Sequence, residues 1–301
     1  MSCPPTEARA LLRCEPPFGA LKLCGFEVNF TDFEVDENTF FLTFVADLQL
    51  HGLDELNLYS APIPGRAAWE ALVDAAISVR LARLAVTTTM LVPWHVHGLV
   101  RLLREGSIYV LSLGCFEDGE MFDAETVPVL SAALRANSML TFLNLVHCGV
   151  LNRPAGIDFF VGALVGHPTL KSISLVNNVV DDAEMRILAS EALGRLVAAH
   201  SCALSHLDVS NCALGDDGLR PLFAALPLNT HISRLKAACN GVSATFAQVV
   251  LASVGANRSL TSLVINGRRQ SENDPGDGEV SLAGLQEAEA LVARRGGGRL
   301  S

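Results

Sequence analysis

The stretch LSHLDVSNCAL (204–214) returns almost unchanged in kind as LTFLNLVHCGV (140–150), and both obey L-x-x-L-x-L-x-x-(N/C)-x-L. Copies of this phrase begin at Leu53, Leu81, Ile108, Leu140, Leu170, Leu204, Ile232 and Leu260, at intervals of 27 to 34 residues. A degenerate ninth copy is expected from Phe18. Self-similarity at such a period marks a solenoid, in which each unit buries its apolar face only against its neighbours. Within a copy, Leu207 and Val209 alternate with His206, Asp208 and Ser210, the pattern of a half-buried strand. Helical pattern follows. After Leu214, Gly218, Leu222 and Leu226 recur every four residues and fall on one helix stripe. Helices are expected near 67–78, 96–104, 124–136, 157–166, 182–199, 216–226 and 243–256.

Alternating strand and helix on this motif resembles the leucine-rich repeat family, in its long-repeat, ribonuclease-inhibitor-like subfamily, over roughly residues 18–295. The resemblance implies an α/β leucine-rich repeat solenoid, a horseshoe of about nine repeats with a parallel concave sheet and outer helices. It also implies a protein partner held on the concave face. It names no activity, because one fold carries many functions.

Composition narrows the classes. Half the residues are hydrophobic and 18% are charged, yet no apolar run approaches the ~20 residues of a membrane span. A formal charge of -10 argues against nucleic acid, which needs a basic stripe to meet phosphates. MSCPPTEARALLRCEPP lacks a cationic start followed by an apolar core, so no secretory signal is read, and a cytoplasmic chain is expected. The eight cysteines show no CxxC pair or zinc spacing, and free thiols in a reducing compartment fit best. Lysine is confined to Lys22, Lys171 and Lys236. A GC-rich genome explains that scarcity, and escape from lysine modification in a translocated protein is the sharper alternative. The acidic stretch DFEVDEN (32–38) has Glu37 where an EF-hand loop needs glycine and Thr43 where it needs glutamate, so a solvated loop is preferred to a metal site. No metal and no cofactor is implied.

Three segments are expected: an N-terminal cap over 1–17 with a short helix at Thr6–Arg13, the solenoid over 18–265, and 266–301. The last comprises a mobile loop, NGRRQSENDPGDGE, a capping helix, SLAGLQEAEALVARR, and a fraying tail. Arg294 and Arg295 suit the negative end of that helix. The Ile108 copy departs most from the motif, with Phe116 and Asp118 at its ninth and eleventh positions, and CFEDGEMFD is expected to bulge as a candidate contact loop.

Positions 1, 4, 6 and 11 of each copy are core. The ninth position satisfies backbone groups where the chain leaves the strand, which assigns Cys148, Asn178, Cys212 and Asn240 to a structural ladder. Ala61, Thr89 and Phe116 at that position predict looser laddering toward the N-terminus.

Positions 3, 5 and 7 face the inner curve. From them Tyr59, Val110, Phe142, Asn144, Val146, Val176, His206, Asp208, Arg234 and Lys236 are the candidate partner-binding residues, and Ala20, Lys22 and Cys24 would extend the face into the first copy. Equal positions of adjacent strands lie about 4.8 Å apart, so Glu55 should meet Arg83, and Asp208 should meet Lys236. Val110, Phe142, Val146 and Val176 form an apolar patch rimmed by Ser112, Ser172 and Ser174, with Phe142 as anchor. His206, Asp208 and Ser210 lack the turn and oxyanion donors of a catalytic triad, so no catalytic residue is assigned.

A non-enzymatic protein-interaction module is therefore the leading reading. Two alternatives stand beside it: a GTPase activator of the Ran type, and a pathogen effector or ubiquitin-ligase adaptor. The acidic tail common in such activators is missing, since the chain ends ARRGGGRLS, and 301 residues leave no room for a separate ligase domain.

Overall fold

The aliphatic pairs of the repeat build the strands and the core together. The computed structural model describes residues 2–3, 26–29, 42–43, 45–46, 54–59, 63, 65–88, 91–115, 123, 125–151, 157, 161–199, 202–265 and 283–297. These divide into two compact units, Met1–Cys148 and Gly149–Ser301.

In the first unit, strands β1 (Ser2–Cys3), β2 (Phe26–Asn29), β3 (Glu55–Tyr59), β4 (Arg83–Thr88), β5 (Val110–Cys115) and β6 (Phe142–Val146) pair in parallel, each with the next. Leu56, Leu84, Leu111 and Leu143 are register partners, as are Leu58, Val86, Leu113 and Leu145. All eight are at most 3% exposed. Helices α1 (Arg66–Ser78), α2 (Trp94–Glu105) and α3 (Thr126–Ala136) connect successive strands and pack on one another in order. On α1, Trp69, Leu72, Val73 and Ala76 make the buried stripe. Trp69 Nε1 donates to His95 O at 2.9 Å, so α1 and α2 meet closely, and a Cβ on Gly98 would stand 2.3 Å from that nitrogen. Only glycine fits.

The second unit repeats the plan with shorter strands. β7 (Ser172–Ser174), β8 (His206–Asp208), β9 (Arg234–Lys236) and β10 (Ser262–Val264) pair in parallel, with Ile173, Leu207, Leu235 and Leu263 in register. Helices α4 (Ala183–Ala198), α5 (Gly215–Ala225), α6 (Phe246–Ala256) and α7 (Ala283–Gly297) follow. Asp182 caps α4 by accepting from Met185 N at 2.8 Å. Helix α7 covers the end of this unit: it packs on α6 and β10, and Glu289 Oε1 accepts from Ile265 N at 2.8 Å. Arg295 does not serve its own helix end. It donates to Val254 O and Asn257 O, each at 2.7 Å, closing the carbonyl end of α6 instead.

The expected helices stand within three residues of their predicted ends, the largest difference being Phe246 for 243, except that only 157 and 161–164 are described as helical in the 157–166 stretch. The first repeat needs a correction. Phe26 and Val28 pair with Leu56 and Leu58, so Leu23 rather than Phe18 occupies the first position of that copy. LCGFEVN fits the motif. Ala20, Lys22, Cys24, the Thr6–Arg13 helix, the acidic stretch at 32–38, Ala61, Thr89, most of the 115–123 loop including Phe116, the 266–279 loop and the tail lie outside the described residues.

Candidate interaction surface

Parallel, in-register pairing turns the variable strand positions into rows. In the first unit Val110 is the register partner of Phe142, Ser112 of Asn144 and Gly114 of Val146. Burial alternates along β6: Leu143 and Leu145 are buried, while Phe142, Asn144 and Val146 are half-buried. The strand face is thus open to solvent at the positions expected. It is not uniformly apolar, because a polar row separates Phe142 from Val146. Asn144 Nδ2 donates to Ser112 Oγ at 2.9 Å, and Asn144 Oδ1 is buried without a partner. Val176 belongs to the second unit, in the turn that follows β7. Tyr59 ends β3, and its side chain lies outside the described residues.

Arg83 is tied down. Its Nη1 lies 3.1 Å from Glu55 Oε2, and its Nε donates to the Tyr109 hydroxyl at 2.9 Å. The guanidinium also stands 5.4 Å from the Tyr109 ring centroid, within cation–π reach. The hydrogen bond to Tyr109 first, and then Glu55, hold its pKa above the ordinary arginine value. Asn57 Nδ2 donates to the other Glu55 oxygen at 3.0 Å, completing a network on the exposed face. Tyr109 sits at the second position of its copy, outside positions 3, 5 and 7.

In the second unit the rows run Ser172, His206, Arg234, Ser262 and Ser174, Asp208, Lys236, Val264. Lys236 Nζ is 3.7 Å from Asp208 Oδ2, and Asp208 Oδ1 accepts from Ser210 N at 3.0 Å. His206 Nδ1 and Ser205 Oγ are 2.7 Å apart, and Ser205 Oγ donates to Lys171 O at 3.1 Å. Burial and the neighbouring Arg234 charge lower the His206 pKa, so the imidazole is neutral at pH 7. Ser210 and Ser174 make no triad with it: its contact is Ser205, on the same strand edge.

The ninth-position residues hold the turns that present this face. Asn240 Oδ1 accepts from Cys212 N and Leu214 N at 3.1 and 3.2 Å, and its Nδ2 donates to Val209 O and Ala237 O, both at 2.9 Å. Asn178 Oδ1 accepts from Val150 N at 3.0 Å, and Nδ2 donates to Leu175 O at 2.9 Å. The cysteines perform a weaker version: Cys212 Sγ lies 3.1 Å from Leu175 O, and Cys148 Sγ lies 3.3 Å from Val146 O. Burial pushes the Cys212 thiol up to about 12. The hydrogen bond with Cys115, whose sulfur is 3.9 Å away, and burial push Cys148 well above the usual thiol range. Neither is a nucleophile, since the thiolate is the reactive form.

A second ladder was missed. Three residues before the first aliphatic position stand Asn137, His167, Asn229 and Asn257, all buried. Asn257 Oδ1 accepts from Leu260 N while Nδ2 reaches back to Leu226 O, each at 2.7 Å. Asn137 does the same between Leu140 N and Leu103 O, also at 2.7 Å. The signal was present as NSML, HPTL, NTHI and NRSL.

Among the described residues, no group of three or more His, Cys, Asp or Glu is placed to hold a metal ion, and no helix is long and apolar enough to cross a membrane. A cavity of about 190 Å³ lies at the C-terminal ends of α2 and α3, lined by Leu103, Arg104, Asn137 and Met139, and none of the exposed strand residues borders it.

A leucine-rich repeat family model matches residues 200–223, the stretch around the copy at Leu204. No curated protein matches the sequence. Among solved structures, a chain in the crystal structure of the Rad7 and Elc1 complex in yeast is similar at 14% identity and a TM-score of 0.51, over 94% of this chain and 72% of that one. The parallel register, the ninth-position ladder and these likenesses together identify an α/β leucine-rich repeat solenoid.

Proposed function

We propose that the chain is a non-enzymatic protein-interaction module that binds its partner on the exposed strand face, the side the repeat family makes concave. The observation that carries this reading is the alternation along the strands: positions 4 and 6 are buried, and the positions between them form solvent-facing rows. A half-buried Phe142 beside Val110, bordered by the Ser112–Asn144 row, has the mixed character of a contact surface. The structural neighbour comes from a two-protein complex, which agrees with this use of the fold.

Affinity capture from native cells tests the proposal with four baits: wild type, Phe142→Asp, Tyr59→Ala, and Val129→Asp on the exposed face of α3. Partners retained by wild type and Val129→Asp but lost from the two strand variants are expected. Partners retained by both strand variants overturn it.

A further inference from the structure

The second unit's strand face carries a charge pattern opposite to that of the chain. The formal charge of the whole is -10, yet the charged residues at the exposed positions of β7–β10 are Arg234 and Lys236 against Asp208 alone. Among the described residues no carboxylate pairs with Arg234, which is exposed and flanked by His206 and Ser262 in its row. Lys236 touches Asp208 at 3.7 Å with 59% of its side chain accessible, a contact contributing about 0 to 1 kcal/mol and readily exchanged.

From this geometry we infer that the exposed face of β8 and β9 docks an extended acidic segment of a partner protein, with Arg234 and Lys236 taking carboxylates at alternate positions of that segment. The inference rests on the interaction-module reading and names the chemistry of its partner. Two residues along a strand span about 6.5 to 7 Å, so the two cations of β9 match the spacing of side chains on one face of an extended peptide. Phosphate is the poorer match, because a dianion is held by several cations converging on one group, and here one guanidinium and one ammonium stand apart, with Asp208 beside the second. Nucleic acid is poorer still, since the row of cations is two long and the chain carries a formal charge of -10. Asp208 sets the strength of the site: it attenuates Lys236 and repels an incoming carboxylate. Ser172, Ser174 and Ser262 border the cations with hydroxyls, and Val264, 38% exposed, supplies an apolar shoulder next to Lys236.

The test uses the full chain and fluorescein-labelled peptides in fluorescence anisotropy. An alternating Glu-Ser peptide is compared with its Gln-Ser counterpart, a phosphoserine peptide of equal length and a single-stranded RNA. The Glu peptide is expected to bind tightest, and to weaken about tenfold or more in Arg234→Glu and Lys236→Glu. Asp208→Asn is expected to bind it several-fold more tightly, an effect that mere loss of structure cannot produce. Raising salt from low to about 0.3 M should weaken binding in the wild type. Thermal melts confirm that each variant is folded. Equal binding of the Gln peptide, tighter binding of phosphopeptide or RNA, or indifference to all three substitutions overturns the inference. If native partners are lost from Phe142→Asp yet kept by Arg234→Glu and Lys236→Glu, the interaction-module reading stands and the acidic-segment inference falls.

Discussion

Asn240 shows how a single amide can decide whether the turn between strand and helix is tolerable in a buried setting. Its oxygen takes two backbone N–H groups and its nitrogen gives to two carbonyls, all in places the strand ladder cannot reach. Asn240→Leu keeps the branched shape of the side chain and removes every one of these bonds. Each orphaned buried group costs about 1 to 3 kcal/mol, so a fall in stability of at least that size is expected. Urea denaturation of the purified variant measures it, and an unchanged midpoint would deny the ladder its role. At this scale the sequence was a good guide to Asn178 and Asn240, because the motif repeats around them. It was a poor guide to Asn137, Asn229 and Asn257. One asparagine after a helix reads as an ordinary C-cap, and only the recurrence of N-x-x-(L/I) before three of the strands separates a ladder from a cap.

At the scale of the element, the contact of α1 with α2 has a titratable group in its middle. His95 is 2% exposed, stacks on Trp94 at 3.6 Å and meets Trp69 edge-on at 5.2 Å. Its Nδ1 lies 3.0 Å from Val92 N and 3.1 Å from Val92 O, and its buried Nε2 has no partner. Burial lowers its pKa to about 4. The unfolded chain therefore takes up a proton near pH 6.5 that the folded chain refuses until about pH 4. The stabilisation is complete above pH 6.5 and is lost as pH falls toward 4, amounting to roughly 3 kcal/mol. Stability curves of wild type and His95→Gln should converge over that window, and parallel curves would contradict the burial. Helix spans were legible from stripes such as Gly218, Leu222 and Leu226. Strand β2 was not, because LKLC and LCGF offer two apolar registers a few residues apart, and pairing with Leu56 and Leu58 selects the second. The cap provided by Arg295 was also out of reach, since its acceptors are 38 and 41 residues away in sequence.

For the whole molecule, the repeat separates two tasks. Aliphatic and asparagine positions hold each unit together, and the residues between them are released to meet something else. The Glu55–Arg83 and Asp208–Lys236 pairs were legible in the sequence, because parallel strands put equal repeat positions side by side. The reach of Tyr109 from a flanking position, and the bond from Asn144 to Ser112 that divides the apolar patch, were not. Side-chain reach, rather than register, governs those contacts. The claim that the strand face is the binding face is tested most directly by photo-crosslinking. A photoreactive amino acid is placed singly at Ala85, Ser112, Asn144 and Ser262 on the strands, and at Val129, Ile187 and Glu191 on the helices. Partner crosslinks from the strand positions, with none from the helix positions, are the predicted result, and partner crosslinks confined to the helix positions would contradict it.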